Sequence, residues 1–100
     1  MGKKGKTTKK GKEEVSKSEL IKEAGNKAFL AKNYQEAVEM YTQAIEISLQ
    51  TPNHIYFANR ANAYLELKQY EECINDCNQS LKIDKTFVKS YFRKAKALIG

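Results

Sequence analysis

The chain has no tryptophan, a single proline and a single histidine among its 100 residues. With His54 alone, and with neither a nucleophile motif nor paired catalytic carboxylates, the usual parties to acid–base and nucleophilic chemistry are missing. No enzyme and no cofactor are expected. Cysteine is scarce too. Cys73 and Cys77 lie one helical turn apart, too few for a metal site and poorly placed for a disulfide within one helix. They read as small packed side chains. No hydrophobic run approaches the length of about 18 residues that a membrane span requires, and none resembles a signal peptide. No membrane insertion is expected, the compartment reads as reducing, and the cytoplasm is the expected location. There the sequon Asn78-Gln79-Ser80 has no consequence.

Acidic residues are absent from the first twelve positions. MGKKGKTTKKGK carries six lysines, whereas the other 88 residues carry twelve Lys/Arg and twelve Asp/Glu, so the net charge of +6 belongs to this segment. After Met1 it has no apolar side chain to offset its ordering entropy, and residues 1–15 are expected to be a disordered lysine-rich tail. Lys6 stands where a myristoylation signal needs Ser or Thr. Six lysines suit weak contact with phosphates or an anionic membrane surface. Without an interleaved aromatic to stack on bases, no specific nucleic-acid partner is expected.

What remains is rich in helix formers. Ser16-Lys17-Ser18-Glu19 has the form of a capping box and opens a helix with Ile21, Ala24, Ala28 and Ala31 at helical spacing. Lys32-Asn33 breaks it, the asparagine being suited to a left-handed turn. A second helix carries Ala37, Tyr41, Ala44, Ile45 and Ser48, and Gln50-Thr51-Pro52-Asn53 ends it. A third runs from about His54 to Leu67 with Phe57, Ala58, Ala61, Tyr64 and Leu65. After Lys68-Gln69 a fourth carries Cys73, Ile74, Cys77 and Leu81. Asp84 opens a fifth, with Phe87, Val88, Tyr91, Phe92, Ala95 and Leu98. No segment alternates like a strand, so the fold class is all-α.

Shifted by 36 residues, NYQEAVEMYTQAIEI (33–47) lies over QYEECINDCNQSLKI (69–83). Tyr34 then meets Tyr70, Ala37 meets Cys73, and Ala44 meets Ser80. The preceding helices correspond as well, with Gly25 over Ala61. This organisation is two helix-turn-helix repeats plus the first helix of a third. It resembles the tetratricopeptide repeat, a unit of about 34 residues with small side chains where paired helices touch, over residues 18–100. Residues 16–100 are read as the repeat domain, a helical solenoid. The tryptophan position of that family is filled by Ile21, Phe57 and Tyr91 in turn. Gly25, the only glycine between residues 13 and 99, costs about 1 kcal/mol in a helix interior. The resemblance puts it where the second helix crosses the first. The fifth helix carries more apolar residues than one face needs, which leads one to expect a stack that continues beyond Gly100 to a polar-faced capping helix.

Packing does not call for a carboxamide at Asn26, one residue on. Lys22 and Asn26 are four apart on the first helix, Lys89 and Arg93 four apart on the fifth, and Asn59 lies on the third. This set resembles the dicarboxylate-clamp repeat domains of co-chaperones, and all five positions match. The resemblance implies a peptide-binding adaptor in which Lys22, Asn26, Asn59, Lys89 and Arg93 hold the two carboxylates of a C-terminal aspartate, with the acidic C-terminal tails of the seventy- and ninety-kilodalton heat-shock chaperones as partners. Asn62 is expected to line the same groove. The chemistry is coherent: Lys supplies a movable point charge, Arg a planar fork, and Asn a neutral donor. Capture of a terminal carboxylate is a recurrent mode of peptide recognition. The alternatives are a generic repeat scaffold that binds an internal peptide, and association with nucleic acid or membrane through the basic tail.

Overall fold

The computed structural model describes the backbone of residues 5–100 and the side chains of residues 17–100. The expected tail over 1–15 lies outside the residues described with their side chains. Five helices follow one another: α1 (Gly5–Leu30), α2 (Tyr34–Ile47), α3 (His54–Glu66), α4 (Tyr70–Ile83) and α5 (Val88–Ile99). There is no strand among the described residues. Each helix packs on the next, and α3 also packs on α5, so α1/α2 and α3/α4 form helical hairpins and α5 opens a third unit. Among the described residues, no helix is long and apolar enough to cross a membrane.

The turns inside the two hairpins are copies of each other. Among the described residues, Lys32 (φ 67°) and Lys68 (φ 63°) are the non-glycine residues with positive φ, and they stand one 36-residue shift apart. In the first turn the Lys32 amide donates to the Phe29 carbonyl at 2.9 Å and the Asn33 amide to that of Ala28 at 2.8 Å. In the second, the amides of Lys68 and Gln69 donate to the carbonyls of Leu65 and Tyr64 at 3.0 and 2.9 Å. This is a Schellman closure with lysine where glycine is usual. The left-handed residue is therefore Lys32, not the expected Asn33, which has φ −91° and precedes α2 without a side-chain cap bond. The closure needs its left-handed residue immediately after the last helical turn, and the bonding pattern places that residue one position earlier.

Two other boundaries differ from the sequence reading. Asp84 does not open α5. It ends α4, and its Oδ1 accepts from the backbone amide and the hydroxyl of Thr86 at 3.0 and 2.6 Å. With the carboxylate engaged in this local turn, α5 starts at Val88. Ser16 is not an N-cap either, because helical backbone already runs through it from Gly5. Glu19, its expected capping partner, accepts from the Tyr56 hydroxyl of α3 at 2.6 Å. Asn53 does cap its helix: its side chain accepts from the Ile55 amide at 2.8 Å.

The core is built from small residues around two tyrosines. Ala28, Ala37, Val38, Tyr41 and Ala63 form one cluster; Ala44, Ile45 and Tyr56 a second; Ala61, Cys73, Cys77 and Ala97 a third. Both cysteines are buried free thiols. Ala24 and Ala31, expected on the apolar face, are exposed, while Val38, Ala63 and Ala97 are buried instead. Gly25 is buried where α2 crosses α1. A Cβ added there would lie 2.6 Å from Cε1 and 2.8 Å from Cδ1 of Tyr41, so the glycine makes room for the ring, as the repeat pattern predicts. Within the second hairpin, Arg60 donates to both carboxylate oxygens of the buried Asp76 at 2.7 and 2.8 Å, and it crosses to the first hairpin by donating to the Thr42 hydroxyl at 3.0 Å.

Candidate functional site

The first helices of the three units lie side by side, and polar bonds between them occur at the sequence-singled residues. From α1, Asn26 turns its Oδ1 toward the neighbouring helices. It accepts from the Tyr41 hydroxyl at 2.6 Å and from Asn59 Nδ2 of α3 at 3.4 Å. From α5, Arg93 reaches back to α3, its Nη1 donating to the Ala58 carbonyl at 2.9 Å, one residue before Asn59. Three of the five expected residues thus converge from α1, α3 and α5 on one stretch of α3. Asn26, Asn59 and Asn62 also share an open pocket of about 300 Å³ with Phe29, Leu30 and Tyr41. Asn62 therefore lines the same concavity as Asn26 and Asn59.

The two lysines are placed differently. Lys22 lies one turn before Asn26 and is half-buried, with its Nζ 3.0 Å from Glu19 and 3.6 Å from Glu23. The hydrogen bond that Lys22 donates to Glu19 is the main cause that raises its ammonium above the ordinary 10.5 and keeps it charged. In return, the Tyr56 hydroxyl and then Lys22 hold the Glu19 carboxyl below its ordinary value. Lys89 is exposed, one turn before Arg93 on α5. That helix carries Lys89, Arg93, Lys94 and Lys96 and no acid.

Burial lowers the Arg93 guanidinium below its ordinary value, yet arginine stays charged in proteins. A charge short of water attracts an anion more strongly than a solvated one does. Only one of the five N–H donors of Arg93 is engaged by Ala58. The arrangement offers an anion two carboxamides in an open pocket, with a planar guanidinium bonded to the same stretch of α3 and an exposed ammonium one turn before it. Among the described residues no group of three or more His, Cys, Asp or Glu gathers to hold a metal.

Sequence reasoning missed three participants. Tyr41 reads as one more apolar-face residue, Glu19 as a capping partner, and Arg60 carries no motif. For Tyr41 a signal was present: a hydroxyl-bearing aromatic in the helix that faces Gly25-Asn26, where phenylalanine would fill the same space.

Residues 29–51 and 55–87 match the tetratricopeptide repeat. Over 79 residues the chain is 43% identical to heat shock protein STI1 of Saccharomyces cerevisiae, a match that covers 79% of this chain and 13% of that protein. Among solved structures, the Arabidopsis OM64 TPR domain is 39% identical with a TM-score of 0.80, covering 84% of this chain and 68% of that one. The second TPR of Spaghetti (RPAP3), bound to the HSP90 peptide SRMEEVD, is 31% identical with a TM-score of 0.83 and covers 90% of this chain and 82% of that one. The helical hairpins, their duplicated turns and these matches lead to one conclusion: the chain belongs to the tetratricopeptide repeat family.

Proposed function

We propose that this domain is a peptide-binding adaptor of the co-chaperone type, not an enzyme, working in the cytoplasm. Its groove captures the acidic C-terminal tail of heat-shock chaperones, with Lys22, Asn26, Asn59, Lys89 and Arg93 engaging the terminal carboxylates. The observation that carries this reading is the convergence of Asn26, Asn59 and Arg93, from three successive first helices, on one stretch of α3. A peptide ending in aspartate presents a main-chain and a side-chain carboxylate close together, and this set supplies both charge and orienting donors for them. The similarity to a domain bound to an HSP90 peptide ending in EEVD supports the same ligand class here.

The test is calorimetry with Ser-Arg-Met-Glu-Glu-Val-Asp as free acid and as C-terminal amide. The amide removes an anion and leaves a cation without its partner, so it is expected to bind at least about 2 kcal/mol more weakly. Lys89→Ala is expected to cost about 1.5–3 kcal/mol toward the free acid with helix content intact, since Lys89 is exposed. Equal affinity for acid and amide leaves a generic repeat scaffold in place of the clamp.

A further inference from the structure

Resting on the carboxylate-binding reading above, we infer that the core residue Tyr41 of α2 is a positioning residue: its hydroxyl fixes which end of the Asn26 carboxamide faces the ligand. A carboxamide has an accepting and a donating end, and its terminal torsion is roughly two-fold, so rotation exchanges them at little intrinsic cost. A ligand carboxylate is served only by the donating end. In this structure both side-chain hydrogen bonds of Asn26 arrive at Oδ1, from Tyr41 Oη at 2.6 Å and Asn59 Nδ2 at 3.4 Å. The oxygen is held between protein donors, and Nδ2 keeps its two protons for the groove.

Tyr41 is suited to hold that choice. It is 2% exposed, in contact with Ala28, Ala37, Val38 and Ala63, so the ring has no freedom to withdraw the hydroxyl. Burial lifts the phenol to about 12, the nearby Arg93 opposing this, and at working pH the hydroxyl therefore stays a proton donor. The ring reaches Asn26 only because Gly25 has no Cβ, which would lie 2.6 Å from Cε1. The two adjacent residues are thus parts of one device. Gly25 admits the ring, and Asn26 receives its hydroxyl. Phenylalanine would satisfy the core equally well, so the oxygen at this position is what the core leaves unexplained.

The experiment is Tyr41→Phe, which removes one oxygen and keeps the ring, with affinity for Ser-Arg-Met-Glu-Glu-Val-Asp measured as acid and as amide. Helix content and cooperative melting should persist, affinity for the acid should fall by about 3- to 10-fold, and affinity for the amide should not change. In an Asn26→Ala background the same substitution should have no further effect. A loss shared equally by acid and amide, or one that persists beside Asn26→Ala, would show a merely structural tyrosine and overturn the inference. So would an unchanged acid-over-amide preference in Tyr41→Phe. Should that variant fail to fold, Asn26→Asp carries the test. It keeps an acceptor for Tyr41 and replaces the ligand-facing donor, so affinity for the acid should drop more than about tenfold, and wild-type affinity would overturn the inference. A wild-type domain that fails to prefer acid over amide removes the clamp reading and this inference together. A wild type that prefers the acid, beside a Tyr41→Phe variant that does so equally, removes this inference alone.

Discussion

Gly25 and Asn26 are both poor choices for a helix interior when each is judged alone. Their value lies across the helix interface, where the first clears space for Tyr41 and the second bonds to it. Gly25→Ala should therefore destabilise the domain although alanine is the better helix former. Overpacking against a buried ring costs about 1–3 kcal/mol, and the propensity gain returns about 1. A lower urea midpoint with an unchanged slope is the expected result; a higher midpoint would mean the ring moves freely. Glu19 carries a pH signature. Held below its ordinary 4.5 by the Tyr56 hydroxyl and then by Lys22, it adds stability that is present above that value and is lost as the pH falls through its lowered folded value. Urea midpoints recorded from pH 6 down to 3 should fall less steeply in Glu19→Gln than in the parent.

Among the helices, Arg60 on α3 pairs with Asp76 on α4 within the second hairpin, and its branch to Thr42 on α2 ties that hairpin to the first. Burial raises the Asp76 carboxyl and Arg60 works against that shift, so the carboxylate depends on its partner. Arg60→Ala leaves the acid buried without compensation and should cost about 3–5 kcal/mol, read from equilibrium unfolding. Asp76→Asn in the same background should recover part of the loss, because an amide tolerates burial better than an unpaired charge. The helix ends show how far local signals reach. The breaks at Lys32 and Lys68 fall where the sequence places them. The residue that turns left-handed, and the role of Asp84, depend on which carbonyls and amides remain to be satisfied after the last turn.

For the whole domain, charge governs the ligand and packing governs the fold, and the two should separate experimentally. Raising salt from 0.05 to about 0.5 M shortens the screening length several-fold. It should weaken the free-acid peptide and leave the amide and the thermal midpoint nearly unchanged. Deletion of residues 1–12 removes the six lysines that carry the net charge. We expect cooperative folding to persist and peptide affinity to stay within a few fold, helix content falling only by the residues removed from the start of α1, with slower association at low salt as the lost steering. Loss of cooperative folding on deletion would instead make that segment part of the fold.

The amino-acid sequence by itself determined the repeat. Period, helix faces and small crossing residues are local quantities, written in which side chains recur every third or fourth position, and the 36-residue self-similarity carries them from one hairpin to the next. The candidate clamp set was named from the sequence through a resemblance, carried by Lys22/Asn26 and Lys89/Arg93 as one-turn neighbours and by Asn59 on the matching helix of the middle unit. Only the tertiary structure decided which polar atoms meet. Tyr41 with Asn26, Tyr56 with Glu19 and Arg60 with Asp76 are 15, 37 and 16 residues apart in the chain. A hydrogen bond forms or fails over a few tenths of an ångström, and that margin is set by how closely two helices pack, which spacing along one helix does not encode.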